Sequence, residues 1–246
     1  MEPETAADRL EAEIRAVGTP ERAEGEKRYL KSDLEFLGAS VWEIRRSVKA
    51  FSADAGPLDH DGLVGVVEAL WARPVFERCM AAVFLLDLHH RLLTAADLPL
   101  LERLIRESRT WALVDGLAGD VVGRLLLADA GTPAILDRWA TDDDFWVRRS
   151  ALLAHLRRLR AGDELGDFGR YADVMLDERE FFIRKAIGWV LREAGKRRPD
   201  AVVAWLEPRV QRASGVTMRE AVKYLPSADA ERLMTASRAR RPRRGG

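Results

Sequence analysis

Six segments of the sequence resemble one another and recur at a nearly constant interval. In each, a charged residue stands at the same aligned position and a mostly apolar helical stretch follows it. The segments are VWEIRRSVKAF, PVFERCMAAVFLL, TWALVDGLAGDVVG, FWVRRSALLAHL, FFIRKAIGWVL and VTMREAVKYL. The aligned charged residues are 33, 37, 33, 36 and 35 residues apart, a period typical of two-helix repeats that stack into a solenoid.

Helical periodicity extends from about residue 10 to residue 236, and the two-residue alternation of strands is absent. Glycine and proline fall between the periodic segments, as helix boundaries require. We therefore predict an all-α fold, an α-solenoid of helical repeats that forms a curved superhelix with a basic concave face. We expect one domain over residues 1–236 and a basic disordered tail, SRARRPRRGG, over residues 237–246.

Composition indicates a folded protein of the cytoplasm. Apolar residues make up 47% of the 246 residues, enough for a sizeable core. No apolar run approaches the roughly 20 residues of a membrane helix, and the first residues are acidic where a signal peptide is basic and then apolar. The single cysteine, Cys79, has no partner in the chain for a disulfide. We expect no membrane partner and a buried, unreactive thiol.

The charged residues are segregated although the net charge is zero. Residues 1–26 contain eight acidic and three basic side chains, whereas residues 145–160 contain five arginines and no acid. Residues 181–198 contain six basic side chains and one glutamate. Such segregation produces a positive face on a neutral molecule, and a polyanion such as DNA binds to such a face.

The aligned charged position is arginine in five of the six repeats. Its occupants are Arg45, Arg78, Asp115, Arg148, Arg184 and Arg219. In a solenoid these residues lie on one surface, where arginines either bind phosphates or pair with acids of neighbouring repeats. We favour phosphate binding because no acidic residue recurs at a matching offset in the alignment. A carboxylate at Asp115 opposes the binding of a polyanion, so this residue is expected to have another function.

Two tryptophans lie on helices that also contain conspicuous charges. Trp111 and Asp115 are four residues apart and therefore share a helix face, and Trp189 follows Lys185 by one turn. Taken alone, these patterns are also typical of core tryptophans and of a paired aspartate. The histidines lack the spacing of a metal site, and no strand precedes a glycine-rich loop. We predict no metal and no cofactor.

Several stretches resemble, in chain order, the DNA alkylation repair family of HEAT-like glycosylases. EFFIRKAIGWVLREAGKRRPDAVVAWL at 180–206 is similar to the signature helix and the helix after it. KRYLKSDLEFLG at 27–38, the WxxPxxE of Trp71, the WxxxD of Trp111, WVRRSALL at 146–153 and REAVKYL at 219–225 also match. The resemblance covers roughly residues 25–225. Trp42 stands where family members usually have proline.

This resemblance implies roles for individual residues. Trp111, Asp115 and Trp189 match the catalytic residues of the family, and Tyr29 and Arg148 match an aromatic and a basic residue of its DNA-binding cleft. The residues expected to bind DNA are Tyr29, Arg45, Arg78, Arg148, Arg149, Arg184, Lys185, Arg219 and Lys223.

The function implied is that of a monofunctional alkylpurine DNA glycosylase. It would excise cationic N3- and N7-alkylated purines, such as 3-methyladenine and 7-methylguanine, from double-stranded DNA in base excision repair, without flipping the base. We expect a monomer acting in the cytoplasm, on the bacterial nucleoid. Two alternatives remain: the same chemistry on bulky natural-product adducts for self-resistance, and a non-catalytic HEAT-like scaffold that binds DNA or protein.

Overall fold

The computed structural model describes residues 2–239, which form two compact units, one up to Asp129 and one from Ala130 on. Helices dominate both units, and the described residues contain no strand, only an isolated parallel bridge between Glu35 and Val75. The prediction of an all-α fold is therefore confirmed.

The first unit contains eight α-helices and a π-helical stretch. Its helices are α1 (Pro3–Arg15), α2 (Pro20–Leu30), α3 (Val41–Ala55), α4 (His60–Trp71), α5 (Phe76–Leu88), α6 (Leu98–Glu107), α7 (Trp111–Asp115) and α8 (Gly123–Ala128). The π-helical stretch, Gly116–Val122, joins α7 to α8 without a break. Two short 3₁₀ turns, His90–Leu92 and Ala95–Asp97, precede α6.

The second unit is built in the same way from short helices. Its helices are α9 (Thr132–Trp139), α10 (Phe145–Leu153), α11 (Leu156–Ala161), α12 (Gly166–Val174), α13 (Phe181–Gly195), α14 (Pro199–Leu206), α15 (Gly215–Ala221) and α16 (Ser227–Ala239). Short 3₁₀ turns, Glu207–Arg209 and Val222–Tyr224, follow α14 and α15.

The helix boundaries lie where the sequence places its capping residues. The Thr19 hydroxyl accepts a hydrogen bond from the Arg22 amide at the start of α2, and Ser40 and Glu43 form a capping box at the start of α3. Gly162 ends α11 at φ 101°, a conformation that residues with a Cβ rarely adopt. Pro20 begins α2 and Gly162 ends α11, so the predicted punctuation by proline and glycine is confirmed at these two ends.

One helix is central to each unit. In α5, eleven of the thirteen residues are buried, and α5 packs against α1, α3 and α4. Cys79 is buried in this helix, and burial raises the pKa of its thiol to about 12, so it stays protonated, as expected. In the second unit α13 has the corresponding position, packed against α10, α14 and α15.

The predicted domain boundary falls within the last helix. Residues 237–239 of the proposed tail belong to α16, which ends at Ala239, and residues 240–246 lie outside the described residues. A single domain over residues 1–236 stays a prediction.

Candidate active site

The helix α7 places Trp111 and Asp115 on one face, as their spacing predicts. The Thr110 hydroxyl caps this helix by accepting a hydrogen bond from the Ala112 amide at 3.5 Å. Trp111 and Asp115 are both half-buried. An indole and a carboxylate thus lie one turn apart, an arrangement suited to binding and stabilising a cation.

A π-helical stretch begins directly after Asp115. The glycine at its start, Gly116, faces α5, where a Cβ would lie only 2.8 Å from Cγ1 of Val83. Single π-helical turns within α-helices are uncommon and often occur at functional sites. Sequence reasoning missed this feature.

The structure brings Tyr29 to Trp111. Their ring centroids are 5.8 Å apart and their planes meet at 84°, an edge-to-face contact. Tyr29 is 71% exposed, and no residue of its helix, α2, is buried. The tyrosine therefore adds aromatic surface beside Trp111 rather than contributing to a core.

A buried glutamate holds the loop that follows α2. Glu77, fully buried on α5, accepts hydrogen bonds from the amides of Leu37 and Gly38 at 2.9 and 2.7 Å. Burial raises the pKa of Glu77, and these two amides offset the rise only in part. Gly38 has φ 81°, and a Cβ there would lie 2.0 Å from the Thr19 carbonyl oxygen. The FLG and WxxPxxE motifs therefore contact each other, since the glutamate of the second binds backbone amides of the first.

Trp189 belongs to the second unit and lies on α13, half-buried. Lys185 and Arg192 lie one turn before it and one turn after it on the same face of this helix. Both cations donate to Glu220 of α15, at 2.7 and 2.5 Å, and Lys223 donates to the same carboxylate at 2.9 Å. Sequence reasoning missed Glu220 although it lies within the REAVKYL motif.

Glu220 is ionised because of these partners. Burial alone would raise its pKa, but the hydrogen bonds from Lys185 and Lys223 and their charges outweigh burial and lower the pKa to about 2. A single carboxylate with three cationic partners leaves a surplus of positive charge beside Trp189.

Two of the predicted DNA-binding arginines have structural partners instead. Arg78 is 2% exposed and pairs with Glu11 at 2.6 Å while donating to the carbonyls of Ala69 and Leu70. Arg149 is 3% exposed and donates to the Phe182 carbonyl at 2.5 Å. The expectation that these two bind phosphate is not supported, because a buried guanidinium offers no surface to DNA.

The other predicted cations retain exposed surface. Arg148 binds both carboxylate oxygens of Glu178 and the carbonyls of Asp142 and Asp143. Arg184 donates to the Glu178 carbonyl. Arg45 lies 4.2 Å from the centre of the Phe84 ring and 3.7 Å from a carboxylate oxygen of Asp87.

Arg219 differs from these side chains. It is exposed, and its side chain has no hydrogen bond or ion pair with any residue from 2 to 239. Lys185 and Lys223 bind Glu220, as described above. Roles in DNA binding remain predictions for Tyr29, Arg45, Arg148, Arg184, Lys185, Arg219 and Lys223.

Arginines outside the aligned position form a second set of contacts, and the interpretation of the aligned arginines as phosphate ligands stays a prediction. Ion pairs join residues one repeat apart throughout both units, mostly through arginines outside the aligned position. They are Glu68–Arg103, Asp87–Arg124, Asp137–Arg170 and Asp173–Arg209, at separations of 35, 37, 33 and 36 residues. Pairing between repeats is thus observed for these arginines, and each such pair at the surface contributes about 1 kcal/mol or less.

Residues 2–239 contain no group of three or more His, Cys, Asp or Glu side chains placed to hold a metal ion. Over the same residues, every helix is too short or too polar to span a bilayer.

Comparison with known proteins identifies the family. The sequence model of the family described as DNA alkylation repair enzyme matches residues 10–225. A predicted DNA alkylation repair enzyme from Enterococcus faecalis superposes with a TM-score of 0.77 at 24% identity, over 85% of this chain and 97% of that one.

Two structures from Streptococcus mutans are also similar. AlkD2 gives a TM-score of 0.65 at 16% identity, over 92% of this chain and 100% of that one. The protein smu.31, from strain UA159, gives 0.57 at 18% identity, over 76% of this chain and 99% of that one. No curated protein matches the sequence significantly. The match of the family model over most of the sequence shows that the chain belongs to the DNA alkylation repair enzyme family.

Proposed function

We propose that the protein is a monofunctional DNA glycosylase that removes N3- and N7-alkylated purines, including 3-methyladenine and 7-methylguanine, from duplex DNA. The observation that carries this proposal is the joint placement of Trp111 and Asp115 on one helix face, with the Tyr29 ring against Trp111. Family membership supports the coarser conclusion that the protein acts in the repair of alkylation damage.

The chemistry of the substrate matches these groups. Alkylation at N3 or N7 makes the purine a cation, so the bond from C1′ to the purine nitrogen breaks without a general acid. The bonding electron pair neutralises the departing base, and positive charge develops on the deoxyribose. Water then adds to C1′ and releases a proton. Hydrolysis through such an oxocarbenium-like state needs a nearby anion more than an acid.

Asp115 is the group suited to this requirement. Its carboxylate stabilises the positive charge that develops on the sugar and orients the attacking water. Trp111 and Trp189 offer indole faces to a cationic nucleotide, each contributing about 1–2 kcal/mol when the contact excludes water.

DNA would be bound through its backbone. Four arginines of the aligned position are suited to phosphates: Arg219 is exposed, and Arg45, Arg148 and Arg184 are partly exposed. The lesion then stays within the duplex, so no deep base pocket is needed. The protein would act as a monomer on DNA of the nucleoid.

The first experiment measures release of 7-methylguanine and 3-methyladenine from methylated duplex DNA under single-turnover conditions. We expect Asp115→Asn to lower the rate about 10²–10³-fold while DNA affinity stays within about threefold. Asp33→Asn is the control, since Asp33 is an exposed acid of the same unit whose partner is Arg109; its rate should equal that of the wild type.

Two other outcomes would contradict the proposal. Equal rates for Asp115→Asn and the wild type would show that Asp115 is not catalytic. No release from methylated DNA that the protein nevertheless binds would exclude small lesions as substrates and favour bulky adducts or a scaffold.

A further inference from the structure

One buried carboxylate of the second unit is not used by the proposed mechanism. The side chain of Glu220 is 10% exposed, and it contacts Lys185, Arg192 and Lys223, whose side chains are 41%, 25% and 48% exposed. We call these four residues the Glu220 cluster. Its anion lies inside and its cations lie outside, so the surface that it presents is positive.

The backbone brings this carboxylate unusually close to α13. Gly188 faces α15, where a Cβ would lie 2.7 Å from Cβ of Glu220 and 2.8 Å from the Thr217 carbonyl oxygen. Any residue with a side chain at position 188 would push the two helices apart. The Thr217 hydroxyl also donates to the Arg184 carbonyl at 3.1 Å, which fixes the register of α15 on α13. Glycine at 188 therefore lets Glu220 reach cations on both sides of Trp189.

The balance of charge differs from that of an ordinary ion pair. Three cations share one carboxylate, which leaves a net charge of about +2 in the cluster at neutral pH. The adjacent carboxylate, Glu193, lies 3.7 Å from Arg192 and also pairs with Arg160 and Lys196 at 3.0 Å each. Because Glu193 brings two further cations with it, the group as a whole stays positive. A surplus of fixed cations at a partly exposed site favours binding of an anion with several acceptor oxygens.

The position of the Glu220 cluster indicates which anion would bind to it. Lys185, Trp189 and Arg192 follow one another on one face of α13, so an anion held by the two cations lies beside the indole. In the function proposed above, that indole contacts a nucleotide, and the anion of a nucleotide is its phosphodiester.

We propose that Glu220 is a positioning residue that holds Lys185, Arg192 and Lys223 as a preformed binding site for one DNA phosphodiester beside Trp189. This inference rests on the proposed contact with DNA and adds a residue that does not touch DNA itself. Long cationic side chains on a surface are normally mobile, and fixing them before binding removes part of the entropic cost of capturing the phosphate.

The test compares two roles of Glu220, neutralising its neighbours or positioning them, because the two predict opposite changes in DNA affinity. Glu220→Gln removes a negative charge, so if Glu220 only neutralises its neighbours, the variant binds DNA more tightly. If Glu220 positions them, repulsion among the freed cations disperses the site, and affinity for an unmodified duplex falls about five- to tenfold. The slope of log affinity against log salt concentration should also decrease by about 1, as expected for the loss of one phosphate contact. A merely structural role would not change that slope.

Glu231→Gln is the matched control. Glu231 is an exposed acid on α16 of the same unit with no ion pair to any residue from 2 to 239, and its removal should leave affinity equal or slightly tighter. Binding by Glu220→Gln equal to or tighter than that of the wild type would overturn the proposal.

A second variant covers the case in which Glu220→Gln does not fold. Lys223→Gln leaves Glu220 paired with Lys185 and Arg192, and Lys223 is exposed. It should reduce the salt slope by about 1, and an unchanged slope would count against the site. Because the duplex is unmodified and no base is released, these results do not depend on whether the protein is a glycosylase.

Discussion

Each of the two units contains a buried glutamate, Glu77 in the first and Glu220 in the second. The pKa values of these two glutamates are shifted in opposite directions. Glu77 in the first unit accepts only backbone amides, and burial raises its pKa. Glu220 in the second unit is also buried, which alone would raise its pKa, but the hydrogen bonds and charges of Lys185 and Lys223 lower the pKa to about 2. Burial alone does not determine the state of a carboxylate; the charge of its partners does.

The difference corresponds to two structural roles. Glu77 joins the loop at Leu37 and Gly38 to α5, and that loop follows the helix that bears Tyr29. Glu220 instead organises side-chain cations at the surface beside Trp189. The first carboxylate therefore maintains the course of the backbone, whereas the second maintains a distribution of charge. Substitutions can separate these roles.

The largest effect is expected for the backbone contact. Glu77→Ala leaves two buried amides without an acceptor and should lower the free energy of unfolding by about 2–4 kcal/mol. Urea denaturation measures this change. The control, Glu68→Ala, removes a glutamate whose partner is Arg103 at the surface of the same unit, and it should cost about 1 kcal/mol or less. Similar losses in the two variants would show that the Glu77 contact is not a structural anchor.

The next effect is the change in stability with pH, which has opposite directions for the two glutamates. The folded pKa of Glu220 lies below its ordinary value of 4.5. Its contribution to stability, on the order of 1–2 kcal/mol after screening by solvent, is therefore present above that value and lost as the pH falls toward 2. The penalty of Glu220→Gln should shrink between about pH 5 and pH 3.

Glu77→Gln should show the opposite trend. The folded pKa of Glu77 lies above 4.5, so its contribution is full below the unfolded pKa and is lost as the pH rises through the folded pKa. The penalty of this variant should therefore grow as the pH falls from about 7 to about 4. The measurement is the free energy of unfolding of both variants and the wild type from about pH 7 to about pH 3. Parallel trends for the two variants would contradict the assignment of opposite charge environments.

The sequence predicted those parts of the fold that depend only on residues close together in the chain. Glycine and proline marked the helix ends, and the four-residue spacing of Trp111 and Asp115 placed them on one face. The family resemblance predicted a HEAT-like repeat fold, which the structural matches confirm. Each of these inferences needs only helix geometry or a recurring motif.

Interactions between distant residues were not predictable in this way. Glu77 binds amides 39 and 40 residues earlier, and Arg78 binds a glutamate 67 residues earlier. An arginine aligned with phosphate-binding candidates could not be recognised as buried, because the acid that pairs with it belongs to α1. Glu220 was missed for a similar reason, since its partner Lys185 lies 35 residues away.

The smallest expected effect on stability is that of Tyr29, in contrast to the loop that follows its helix. Tyr29 is mostly exposed, and its helix buries no residue, so Tyr29→Leu should leave the free energy of unfolding unchanged within about 0.5 kcal/mol. Loss of the edge-to-face contact with Trp111 should nevertheless slow base release about two- to tenfold. Tyr29→Phe keeps the ring and should retain the wild-type rate, which would assign the effect to aromatic contact rather than to the hydroxyl. If Tyr29→Leu lowered stability as much as Glu77→Ala does, the helix and its loop would form one structural unit, and the distinction between shaping the backbone and providing surface would not hold in the first unit.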